Sequence, residues 1–283
     1  MTQKLETDQL KSLDEILSRV HEIAVLPQVA HRLIEVTNAD DSSPEDVERA
    51  VETDPGFSAK LIAAANSSQW SLLQKTATIR DACLLLGFRQ VRTLAEQAGV
   101  FDLFVGKNDK ESLRRRDWWR ISVETAKVAK WIAQQKGGYP DLAYTAGLFH
   151  LLGKTMIDQS DPDNYNKVMY VVDRGAPERL AEKTVFAVDH IEAGQEMARR
   201  WNFPELLIDS MDYLDTPQIE GQAVQAAASV HLAHAIVKAS RHEYTLEEAL
   251  KFAKPWAFEA LQVDPLTFEN WVIQSIPAQA HAA

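Results

Sequence analysis

The stretch Ala143-Tyr144-Thr145-Ala146-Gly147-Leu148-Phe149-His150-Leu151-Leu152-Gly153-Lys154 reads as a helix of small and apolar residues that carries one histidine and ends near Gly153. On composition alone such a histidine is a hydrogen-bonded core residue, because spacing by itself gives it no metal or substrate partner. Outward from this stretch, apolar residues recur at three- and four-residue steps, as at Leu61, Ala64 and Ala65, and at Ala223, Ala226, Ala227, Val230 and Ala233. Strand alternation is nearly absent. Val168 to Val172 is the one short β-branched and aromatic run, and it fits a helix equally well. Helix-start signals repeat along the chain. Ser12-Leu13-Asp14-Glu15 and Thr245-Leu246-Glu247-Glu248 are capping boxes, in which the hydroxyl accepts from an early N–H and the acid reaches back. Pro27, Ser43-Pro44, Asp54-Pro55 and Thr78-Ile79-Arg80-Asp81 mark further starts. The predicted fold class is all-α.

The chain of 283 residues is 46% hydrophobic and 25% charged, with Gly 11 and Pro 11, which predicts a globular body with a substantial core and excludes collagen-like or low-complexity sequence. Lys+Arg 30 against Asp+Glu 41 gives a net charge of -11, which repels a phosphate backbone and excludes nucleic acid as a main ligand. The single cysteine, Cys83, lies beside Ala82, Leu84, Leu85 and Leu86 and reads as a buried thiol. Met1 to Gln9 lacks an apolar signal region, and no apolar run approaches the ~18 residues of a membrane helix, so membrane insertion is not expected and a cytoplasmic location is.

A polar segment, Gly106-Lys107-Asn108-Asp109-Lys110-Glu111, separates a leucine-rich helix from an Arg/Trp-rich one. Two helical units are therefore expected, residues 13–106 and 111–275, with 1–12 and 276–283 as flexible ends. The first is an N-terminal bundle packed against the second. Gly137-Gly138-Tyr139-Pro140 and Ser160-Asp161-Pro162-Asp163 read as turns. In Arg114 to Arg120, cations alternate with aromatics. Arg115, Arg116, Trp118 and Arg120 are candidate contacts to a nucleotide or phosphate; the alternative is a helix face with Trp119 buried and the arginines solvated or paired with acids. No Walker loop, CxxC or HExxH pattern is present.

Gly147-Leu148-Phe149-His150-Leu151-Leu152-Gly153-Lys154 resembles the GLLHDIGK segment of the HD-domain superfamily of metal-dependent phosphohydrolases. More specifically the chain resembles the HDOD family, signalling relatives of those hydrolases. The resemblance also rests on Leu26-Pro27, Asp54-Pro55-Gly56-Phe57, Ala65-Asn66-Ser67, Thr78 to Ala82, Leu85-Leu86-Gly87, Trp119 to Ser122, His190 to Gly194 and Trp201 to Pro204. It spans about Leu13 to Ala239. It implies an HD-like second unit whose metal motif has eroded. Ile121 stands at the first histidine position, His150 is kept, and Leu151 replaces the aspartate of the His-Asp pair. His190 matches the histidine of the HxxxG segment. Asp209-Ser210-Met211-Asp212-Tyr213 occupies the region where relatives carry a His pair, and His234 stands at the distal aspartate.

Without those carboxylates, a hard ion lacks the oxygen ligands and negative charge it needs. The resemblance therefore implies a non-catalytic regulatory protein of bacterial signal transduction, with no cofactor. It would bind a signalling partner or a small ligand, a nucleotide among the options, through a vestigial cleft or the groove between the two units. The cleft candidates are Ile121, His150, Leu151, Lys154, His190, Asp212 and His234. Two-component and cyclic-dinucleotide pathways supply the implied partners. The alternative is a metal-dependent phosphohydrolase rebuilt around Zn²⁺ or another divalent transition metal on His150, His190 and His234. In the non-metal version these histidines pack against backbone or acids such as Asp158, Asp189 or Asp212.

Overall fold

The structure is a computed structural model that describes residues 27–38, 42–67, 75–98, 110–215 and 221–276. The capping box at Ser12, the motif residue Leu26, most of the Gly106 segment and the C-terminal tail lie outside the described residues. Among the described residues every regular element is a helix. No helix there is long and apolar enough to cross a membrane.

Helices α1 (Pro27–Asn38), α2 (Pro44–Val51) and α3 (Pro55–Ala65) pack on α4 (Ile79–Ala98). Local chemistry sets their starts as the sequence predicts. Ser43 Oγ accepts from the Asp46 N–H at 3.3 Å, and Asp46 reaches back to the Ser43 N–H at 3.0 Å. Asp54 Oδ1 accepts from the Phe57 N–H at 2.9 Å, and Thr78 Oγ1 from the Asp81 N–H at 3.0 Å. Each cap contributes about 1 kcal/mol. Gly87, at φ 69, breaks α4 between its two segments. Cys83 is buried, and its thiol pKa is pushed up to about 12 by burial and by the nearby acids Glu48 and Glu52.

The rest of the chain forms α5 (Lys110–Gln135), α6 (Pro140–Phe149), α7 (Leu152–Ser160), α8 (Pro162–Val172), α9 (Glu178–Phe186), α10 (His190–Arg200), α11 (Glu205–Ser210), α12 (Gln222–Ser240), α13 (Leu246–Phe252), α14 (Pro255–Leu261) and α15 (Pro265–Ser275). Val168 to Val172 is helical, at the end of α8. Helix α12 is buried without a break from Ala226 to Val237 and contacts α5, α6, α11, α13, α14 and α15. A helix enclosed on all sides must be apolar or fully hydrogen-bonded. Its apolar majority meets that condition, which leaves Ser229, His231 and His234 needing partners.

The helix carrying His150 does not run to Gly153. It stops at Phe149, and α7 starts at Leu152, so His150 and Leu151 form the corner between two helices. Gly153 lies inside α7 at its crossing with α10. A Cβ there would stand 2.0 Å from the His190 carbonyl oxygen and 2.5 Å from the Gly194 nitrogen, so only glycine lets the two backbones meet. Gly147 plays the same part between α6 and α5, where a Cβ would lie 2.8 Å from Ala126 Cα.

The N-terminal helices join this body through α3 and α4 against α6. Tyr144 donates to the Glu52 carbonyl at 2.9 Å, Lys75 Nζ donates to Asn202 Oδ1 at 2.6 Å, and Asn202 Nδ2 donates to the Asn66 carbonyl. Gly153→Ala is expected to cost about 3 kcal/mol in urea unfolding, because both opposing groups are backbone and cannot rotate away. Gly138→Ala, whose Cβ would sit at an ordinary 3.5 Å from its nearest neighbour, should stay within about 0.5 kcal/mol. Equal losses in the two variants would contradict the close crossing.

Candidate functional site

His150, the residue that caps α6, is 2% exposed. Its Nδ1–H donates to the Gly147 carbonyl at 2.6 Å, and since a carbonyl only accepts, the tautomer is fixed. The Nε2 lone pair then accepts from His234 Nδ1–H at 3.0 Å. Tyr213 closes over this pair, its ring edge-on to His150 at 4.8 Å and 5.1 Å from His234. One turn before His234 on α12, His231 donates from Nδ1 to the Tyr213 carbonyl at 2.6 Å and accepts the Lys254 N–H at Nε2, 3.0 Å away. Burial drives all three imidazoles toward the neutral form. It lowers His150 to about 3, His231 to about 4 and His234 well below the ordinary histidine value.

Beside this neutral group lies a charged one organised by Glu182, which is fully buried on α9. Its Oε2 accepts both the His190 backbone N–H at 3.0 Å and His190 Nδ1–H at 2.6 Å, and its Oε1 accepts the Tyr165 hydroxyl at 2.8 Å. Burial opposes charge on His190, but the Glu182 carboxylate and its hydrogen bond, helped by Glu178, outweigh burial and raise the pKa. His190 Nε2 is buried without a hydrogen-bond partner. Lys154 Nζ stands 2.6 Å from Glu178 Oε1 and 4.7 Å from the centre of the Trp118 ring. Burial would raise the Glu178 pKa, yet the Lys154 ammonium and His190 hold it well below the usual carboxylate range.

A metal at the HD position does not fit these residues. Ile121 and Leu151 are buried and offer no lone pair, and the lone pair of His150 is taken by His234. The three histidines do not converge either. Among the described residues, the group of three whose ligand atoms lie within 4.8 Å of one another is Glu178, Glu182 and His190. Both glutamates escaped the motif comparison. A readable signal existed: Glu182 falls in the buried phase of α9 between Ala181 and Phe186.

The acids expected beside the histidines have other partners. Asp158 is fully buried and receives Arg114 and Arg115, the latter at 2.7 Å. Asp189 caps α10 through the Ile191 and Glu192 N–H groups and pairs with Arg179 at 2.8 Å. Asp212, half-buried, accepts the Leu214 and Asp215 N–H groups at 3.3 Å. The proposed nucleotide-binding face is corrected by the same packing. Arg115 and Trp118 are buried, with Trp118 edge-on to Tyr165 at 5.4 Å. Arg116 donates to its own helix at Ser112, and Arg120 alone of the four is exposed. Arg115 and Trp118, three apart, turn into the interior, while Arg116 and Arg120, four apart, lie on another face, so the four do not form one surface.

A cavity of about 500 Å³ opens between the N-terminal helices and the larger body, lined by Lys75, Thr78, Asp81, Tyr139, Leu142 and Gln222 among others.

Comparison with known proteins shows a match to the HDOD domain over residues 23–217. A sequence relative, an uncharacterized protein of Treponema pallidum (strain Nichols), is 24% identical over 216 residues, covering 74% of this chain and 41% of its own length. The chain thus spans about two-fifths of that relative. Among solved structures, a virulence factor of Campylobacter jejuni subsp. jejuni aligns with a TM-score of 0.71 at 20% identity, covering 95% of each chain. The MmoQ response regulator of Methylococcus capsulatus str. Bath aligns at 0.66 with 21% identity, over 87% of this chain and 94% of its own. An HDOD domain protein of Geobacter sulfurreducens aligns at 0.52 with 23% identity, over 93% and 91%. These likenesses establish the helical fold.

The neutral histidines have a measurable consequence. Below pH ~6.5 the unfolded chain takes protons on His150, His231 and His234 that the folded chain refuses, so stability present above ~6.5 is lost as pH falls. Each contributes a slope of about 1.4 kcal/mol per pH unit. His190, whose pKa is raised, acts in the opposite sense: its stabilisation is complete below ~6.5 and fades as pH rises through the folded value. Urea unfolding of His150→Gln between pH 7 and 5 should show a slope shallower than wild type by about one proton. Parallel slopes would contradict a neutral, buried His150.

Proposed function

This chain belongs to the HDOD family, and from that membership we propose that it is a non-catalytic bacterial signal-transduction module that acts by recognising a partner and not by cleaving phosphodiesters. One observation carries the reading. At the positions that the resemblance gives to the HD metal motif, His150 is hydrogen-bonded to His234 beneath Tyr213, and Ile121 and Leu151 are buried. Two-metal hydrolysis needs carboxylates to hold the ions and an open position for water, and the four side chains supply neither.

Recognition then belongs outside the closed cleft. The cavity between the two helical groups presents an ammonium, hydroxyls, a carboxylate and the rim of Tyr139. It lies where a bound segment would touch both groups at once, so occupancy is able to bias their packing. A signalling protein is the favoured occupant over a nucleotide, because Arg115 and Trp118 face inward. The fold it shares with a response regulator fits a two-component partner. The proposal includes a cytoplasmic setting, supported by the single buried thiol and by the absence of a membrane-crossing helix among the described residues.

The test is elemental analysis of untagged protein as purified and after dialysis against Mn²⁺, Fe²⁺, Ni²⁺ and Zn²⁺, with hydrolysis of bis-p-nitrophenyl phosphate measured on the same samples. No stoichiometric metal and no rate above buffer are expected. Near-stoichiometric metal with a hydrolytic rate that falls in His150→Ala would overturn the proposal.

A further inference from the structure

Glu178 and Glu182 are four residues apart on α9 and so share a face, and His190 at the start of α10 turns its imidazole onto Glu182. Two carboxylates and one imidazole within 4.8 Å make a donor set suited to Zn²⁺ or a similar borderline ion. A cation already pairs with one of the three. The Lys154 ammonium, on a residue 7% exposed, lies 2.6 Å from Glu178 and 4.7 Å from the centre of the Trp118 ring. His190 Nε2, also buried, has no hydrogen-bond partner.

We infer that the Lys154 ammonium takes the place of a divalent metal ion, closing a latent site made by Glu178, Glu182 and His190 that opens when the lysine is removed. The inference rests on the non-catalytic reading above and names the group that keeps this second position metal-free. One buried and one half-buried carboxylate need positive charge nearby, and one ammonium with His190 supplies it. Loss of the ammonium leaves Glu178 uncompensated, and an added divalent ion restores the balance through direct bonds as His190 releases one proton to solvent and ligates as the neutral ring. Such an ion spaces its ligands about 3.4 Å apart, which side-chain rotation of the glutamates can meet.

The experiment is calorimetric titration of Zn²⁺ into the untagged full chain as wild type, Lys154→Met and Lys154→Met/Glu178→Gln, with folding verified by circular dichroism. Methionine keeps the length and the contact with Trp118. The double variant removes both partners of the ion pair and one ligand, so its fold should survive. Expected are no saturable uptake by wild type, one equivalent in Lys154→Met, and an affinity at least about 10-fold weaker in the double variant. Folded Lys154→Met that binds no better than wild type would overturn this inference and leave the proposed function standing. Uptake unaffected by Glu178→Gln would also overturn it, by placing the ion elsewhere. One equivalent bound by wild type would overturn this inference, and the hydrolysis assay on the same protein would then decide the proposed function. If Lys154→Met does not fold, Lys154→Gln, whose amide can still donate to Glu178, takes its place under the same criteria.

Discussion

The backbone contact between α7 and α10 sets the rest of the structure. Because Gly153 has no side chain, the His190 carbonyl and Gly194 come directly against α7. That places His190 at the N-terminus of a helix whose first turn already needs an acceptor, and Glu182 fills the need by accepting both the backbone N–H and the ring N–H. Glu182 also accepts from Tyr165, so α8, α9 and α10 are tied at one carboxylate. A buried carboxylate without these three donors would be costly, and with them it fixes one arrangement of three helices.

Charge in the interior is arranged by pairing. Asp158 holds two guanidiniums, Glu178 holds an ammonium, and Glu182 holds an imidazole. The histidines with no acid beside them, His150, His231 and His234, are kept neutral by burial and hydrogen-bond to backbone or to one another. The position that the resemblance gives to the aspartate of the His-Asp pair follows the same rule: a carboxylate buried there would need a counter-ion, and the buried Leu151 needs no partner.

Much of this was legible in the sequence. The helical class followed from three- and four-residue spacing, and the starts at Ser43, Asp54, Thr78 and Thr245 followed from caps that act within four residues. The corner at His150 was misplaced by a few residues, because glycine in a helix usually signals its end, whereas Gly153 serves a contact with a helix 37 residues later in the chain. Long-range partners were the least legible. Nothing local to Asp158 points to Arg114 and Arg115, and nothing local to His190 points to Glu182 in preference to the adjacent Asp189. Asp189 is the nearer residue along the chain, but as the N-cap its side chain is turned into its own helix.

The direction of the hydrogen bonds explains why the His150–His234 pair is stable. Gly147 offers only a carbonyl, so His150 must donate from Nδ1 and accept at Nε2, and His234 must donate in turn from its own Nδ1. Each proton has one acceptor and none competes. Burial holds both imidazoles neutral, and protonating His150 would also place a donor against the donor on His234, so Tyr213 packs over them without a charge to solvate. A metal at the same place would need that lone pair from His150 and the other tautomer of His234, and two imidazoles bring no carboxylate to balance the ion's charge. His234 therefore occupies the one lone pair that His150 has left once its Nδ1–H is given to Gly147.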